Sequence, residues 1–116
     1  MPIVEVAHAL SFPEARLRDL ASALPHAVSL AVECPEEPYD GHLKPGDVEL
    51  VFRERSPHDG AGLDLLVLVR SKWFPSRAED RDQRCARLRD AVVEVVGPCS
   101  VGVYLSLPVA GWAQTA

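Results

Sequence analysis

The chain has 116 residues, enough for one domain with a single core. Its hydrophobic share of 47% and charged share of 25% are those of an ordinary globular protein. A net charge of −5 and a pI near 5.3 argue against general binding to nucleic acid or to an anionic membrane.

No apolar run approaches the roughly 18 residues of a membrane span. No basic start leads into an apolar stretch, so a secretory signal is not expected and the expected location is cytoplasmic. Cys34, Cys85 and Cys99 are odd in number and lack CxxC spacing. They form neither a disulfide framework nor a zinc site. His8, His26, His42 and His58 show no HxH or HExxH spacing, so no metal is expected.

Met1 and Pro2 open the chain. The small Pro2 makes Met1 a candidate for removal, which would leave a secondary amine on a rigid ring. An ordinary α-amino group titrates near pH 8. Desolvation or nearby cationic charge lowers such a value toward neutrality, where a group serves as a general base. A retained Met1 turns the Pro2 nitrogen into an amide and removes that basicity.

Residues 2–9 alternate and are rich in β-branched residues, which predicts a strand. Ser11-Phe12-Pro13-Glu14 reads as a capping box with proline in the first turn. Leu17, Leu20, Leu24, Val28 and Ala31 then recur at helical spacing to about residue 32. Pro25 inside that run is expected to kink or split the helix. Cys34 to Gly41, with Lys44-Pro45-Gly46, reads as loop.

Val48 to Phe52 is the second predicted strand, and Ser56 to Gly62 a turn-rich connector. Leu63 to Val69 is nearly all apolar, the pattern of a strand covered on both faces. Ser76-Arg77-Ala78-Glu79 reads as a second capping box. Its helix carries Cys85, Leu88, Val92 and Val96 and stops at Gly97-Pro98. Ser100 to Leu107 is the last strand, and Pro108 to Ala116 a tail.

The fold class is α/β (α+β). Two β-α-β units, residues 2–55 and 63–108, form a four-stranded mixed sheet in a single domain, 1–116. Right-handed crossovers place both helices on one face. The other face is left bare while its strands read apolar, so the domain is expected to oligomerise through it. Arg81, Arg84, Arg87 and Arg89 alternate with Asp82 and Asp90, a solvated, ion-paired helix face.

Two β-α-β units behind a proline in second place resemble the tautomerase superfamily. Its members include 4-oxalocrotonate tautomerase, macrophage migration inhibitory factor and the 3-chloroacrylic acid dehalogenases. The cis-3-chloroacrylic acid dehalogenase group is the nearest in length and pattern. The resemblance implies a cofactor-independent isomerase or tautomerase acting on a small anionic substrate, a 2-oxo or enol carboxylic acid, and assembled as a homotrimer. It implies that Pro2 is the catalytic base or acid. Arg77, with Arg70 or Lys72, would hold the substrate carboxylate, the Trp73-Phe74-Pro75 insertion leaving the register between the last two open. Tyr104 or His26 would return a proton or hold the carbonyl oxygen, and Trp112 would line the site. The same site could serve a decarboxylase, hydratase or dehalogenase. The water-activating glutamate of the cis-dehalogenase group has no counterpart, since residues 108–116 contain no Asp or Glu. With Met1 kept, the alternative is a non-catalytic oligomeric binding module.

Overall fold

The computed structural model describes residues 1–44, 46–60 and 62–115. Strand β1 (Ile3–His8) leads into helix α1 (Glu14–Val32) and a 3-10 turn (Pro38–His42). Then come β2 (Glu49–Glu54), β3 (Leu65–Arg70), the short helix α2 (Pro75–Glu79), α3 (Arg81–Val96) and β4 (Val101–Ser106). The sheet order is β2-β1-β3-β4. β1 and β2 are parallel, β3 and β4 are parallel, and β1 meets β3 antiparallel. This is the mixed sheet of two β-α-β units expected from the sequence.

Register decides which residues share a face. Val4 stands between Leu50 and Val69, and Val6 between Phe52 and Val67. These side chains meet Leu20, Leu24, Val28, Leu88 and Val92 of α1 and α3 in one core. The alternate residues lie on the bare face. They include Ile3, Val51, Leu66 and Leu68, with Glu5 between Arg53 and Arg70. The apolar run of β3 is therefore covered on one face only: Leu65, Val67 and Val69 are buried while Leu66 and Leu68 are partly exposed.

Three local expectations are corrected. Of the two outcomes expected at Pro25, the split does not occur: α1 runs continuously from Glu14 to Val32 with Pro25 buried inside it. Packing of the apolar stripe outweighs the lost amide hydrogen bond. No capping box forms at Ser11: Pro13 is the N-cap, and no side chain caps the helix. Nor does one form at Ser76. Ser76 donates instead to Glu36, and the helical stretch breaks at Asp80 into α2 and α3.

Candidate functional site

Backbone polarity places the site. Pro2 O accepts from Glu49 N at 3.1 Å and His8 O from Arg55 N at 2.9 Å, so even residues of β1 face β2. Ala9 N donates to Asp64 O and Ser71 N to Ser106 O. Even residues of β3 thus turn toward β1 and odd ones toward β4. Ile3 stands opposite Arg70. Lys72 therefore falls just beyond the last pair, with its carbonyl on the side where a longer β1 would pair.

That carbonyl accepts from Arg77 Nη1 at 2.8 Å. The guanidinium thus reaches the exit of β3, at the end of the sheet where the buried Pro2 begins β1. Arg77 is fully buried. Its Nε donates to Val32 O at 2.7 Å, Nη1 lies 3.4 Å from Glu37 Oε1, and the Phe74 ring centroid is 5.5 Å from its Cζ. Glu37, itself buried, is the counter-charge. Such a pair is better tolerated inside because Nε and Nη1 also donate to the carbonyls of Val32 and Lys72.

Arg84 reinforces this corner. It donates to Ala31 O and Glu33 O at 2.9 and 2.8 Å, to Ser76 O at 3.2 Å and to Asp80 Oδ1 at 2.6 Å. α1 has no basic residue in its own last turn. Two buried arginines from the second half of the chain take that place, satisfying its terminal carbonyls and its negative dipole end. The hydrogen bond from Arg84, then its charge, hold the Asp80 carboxyl below its ordinary value. The Ser76 hydroxyl does the same for Glu36.

Pro2, Arg70, Lys72 and Arg77 thus gather at one end of the sheet. Arg70 is half exposed and pairs with Glu5 at 3.1 Å. Lys72 is partly buried and joins no ion pair among the described residues. The other candidates lie apart within one protomer. Tyr104 sits opposite Leu68 on edge strand β4, 65% exposed, beside a groove of about 500 Å³ between α3 and β4. His26 is on the exposed side of α1. Trp112 is in the tail and donates its indole N–H to Gln114 at 2.7 Å.

Glu37 escaped the sequence reading, and Arg84, expected on a solvated helix face, is instead buried because the end of α1 needs its donors. The missing basic residue at the end of α1 was a usable signal for Arg84. Glu37 sat in a Pro-rich loop that carried none. No group of three or more metal-ligating side chains stands together among the described residues, and no helix among them is long and apolar enough to cross a membrane.

No family model and no curated protein matches the chain. Solved structures do. Malonate semialdehyde decarboxylase, whose decarboxylase and hydratase activities were studied structurally, superposes with a TM-score of 0.68 at 16% identity over 98% of this chain and 91% of that one. MIF2 of Leishmania major gives 0.58 at 18% identity over 99% and 96%. A fused 4-OT described as a symmetric trimer gives 0.60 at 18% identity over 91% and 85%. These likenesses span almost the whole chain, and on them the chain has the tautomerase fold.

Proposed function

We propose that the protein is a cofactor-independent enzyme of tautomerase type acting on a small 2-oxo or enol carboxylic acid. The observation that carries this reading is that Arg70, Lys72 and Arg77 stand at the same end of the sheet as the buried Pro2. Once Met1 is removed, the Pro2 amine takes a proton α to the substrate carbonyl. Cationic charge at the head of β1 holds the carboxylate and stabilises the enolate as it forms. Tyr104 remains the candidate proton donor of a second protomer packed on the bare sheet face, and His26 the alternative. Likeness to malonate semialdehyde decarboxylase supports a second reading, decarboxylation of a small oxo acid. A homotrimer is proposed with it, since fused 4-OT proteins of the same fold are described as trimers.

The test uses the protein freed of Met1, verified by intact mass, and phenylenolpyruvate. Turnover is expected. Extra residues fused ahead of Pro2 make its nitrogen an amide, and the rate should fall by roughly 10²–10⁴, the range for a positioned general base. Full turnover by the fused protein overturns the assignment of Pro2.

A further inference from the structure

Arg16 and Arg77 hold matching places in the two halves of the chain. Phe12-Pro13 lead into α1 and Phe74-Pro75 into α2. Arg77 Nε donates to the carbonyl of Val32, the last residue of α1. Arg16 Nη1 donates to the carbonyl of Val96, the last residue of α3. Each arginine thus closes a helix of the other half. Their charges are answered differently. Arg77 is fully buried and meets Glu37, from the loop after α1. The loop after α3, Gly97 to Ser100, holds no acidic residue. Arg16 is exposed and joins no ion pair among the described residues.

Arg16 borders a cleft of about 290 Å³ that Ala9, just past the end of β1, places at the end of the sheet away from Pro2. Asp64 is the other charged side chain lining it. Its Oδ2 accepts from Ser100 N at 3.0 Å, while Oδ1 has no partner among the described residues. No ion pair joins Asp64 to Arg16, so one cation and one anion border the same cleft without answering each other. Burial raises the thiol of Cys99 there, Asp64 raises it further and Arg16 lowers it, so both charges act on the same space. Phe12 and Pro98 add apolar surface.

We infer that this cleft binds a small α-amino acid, with its carboxylate on Arg16 and its ammonium on Asp64. The ligand carboxylate gives Arg16 the counter-charge that Glu37 gives Arg77. A guanidinium with Nη1 spent on Val96 still has donors at Nε and Nη2, the fork that a carboxylate fits. The ammonium takes the acceptor that Ser100 leaves unused on Asp64. A ligand with one charge answers only one of the two groups. The volume lies below that of sites for drug-sized ligands, so a short side chain resting on Phe12 and Pro98 is the one that fits. This site is independent of the oxo-acid reading, which concerns the opposite end of the sheet.

The experiment is a set of NMR titrations of the whole chain, labelled with nitrogen-15, at low ionic strength, where an exposed charge is screened least. The probes are L-alanine, propionate, which lacks the ammonium, and ethylamine, which lacks the carboxylate. Alanine is expected to move the amide signals of Gly97, Cys99 and Ser100 to saturation, and the two singly charged probes should bind roughly 10-fold more weakly. Arg16→Met should weaken alanine by about the same factor and abolish its advantage over ethylamine. Asp64→Asn keeps an acceptor for Ser100 N and should abolish the advantage of alanine over propionate. Should Arg16→Met not fold, Asp64→Asn decides through the ratio of alanine to propionate. No saturable shift with alanine at these amides overturns the inference and leaves the reading of Pro2 untouched. Equal binding of the three probes overturns it, as does an undiminished preference for alanine in Asp64→Asn.

Discussion

Arg84 is the side chain on which the corner around Pro2 turns. It is buried, and four of its hydrogen bonds run to Ala31, Glu33, Ser76 and Asp80. Arg84→Ala leaves the last carbonyls of α1 without donors in a buried setting. The expected cost is about 2–3 kcal/mol. In a domain of this size that is a fall of roughly 10 °C in Tm, measurable by calorimetry. A Tm within a degree or two of the parent would mean that water replaces the guanidinium. The cysteines carry an opposite expectation of inertness. Desolvation raises both thiols: at Cys85 the neighbouring Asp82 adds to it, at Cys99 Asp64 does. Both stay protonated at pH 7, so alkylation by iodoacetamide should be slower than that of a free cysteine peptide.

At the level of elements, helix ends are closed by distant side chains rather than by local caps. The C-terminus of α3 repeats the device seen at α1: Val96 O accepts from Arg16 Nη1, and Gly97 leaves the helix with φ of +86°. A Cβ at Gly97 would stand 2.8 Å from Arg16 Nη1. Gly97→Ala therefore combines backbone strain with displacement of the arginine. A loss of about 1–3 kcal/mol is expected in urea titration, from the strain alone. The joint between α2 and α3 gives a pH dependence. Asp80 has its folded value lowered, first by the hydrogen bond from Arg84. Its stabilisation is complete above the ordinary carboxylate range and is lost as pH falls through the lowered value. Asp80 is 40% exposed, so solvent screening limits the effect to about 1 kcal/mol. Asp80→Asn should be less stable than the parent at pH 7 by that amount, and the two should converge under acid. A constant difference down to pH 2 would exclude this origin.

The whole molecule has one covered sheet face and one bare face. Ile3, Val51, Leu66 and Leu68 lie on the bare side without a helix over them. Glu5 at its centre is paired with Arg53 and Arg70, which removes the obstacle an unpaired charge would present to packing. Sedimentation equilibrium is expected to give three times the 12.7 kDa chain mass. Leu68→Glu puts a charge at the middle of that face and should yield monomers with an unchanged far-UV spectrum. Trimers from the Leu68→Glu protein would mean that copies associate through another surface.

The division between sequence and structure follows the range of the interactions. Alternation at residues 2–9, helical spacing from Leu17 to Ala31 and the stop at Gly97-Pro98 are local patterns, and they sufficed for the four strands, the two main helices and the sheet with one bare face. Pro2 was legible as a candidate because its chemistry depends only on its place in the chain. Local rules failed where a distant partner outweighed them. Ser76 donated to Glu36 in place of a helix cap, and α1 absorbed Pro25 because its stripe was buried along its length. Arg77 is the clearest case. The resemblance assigned it to a substrate carboxylate, and the carboxylate it meets in the fold is that of Glu37, forty residues earlier, in a loop whose sequence carried no such signal. Which arginine faces inward, which lysine stays free and which carbonyls need donors depend on contacts between the two halves of the chain. Only the folded packing brings those halves together, so only the tertiary structure could decide them.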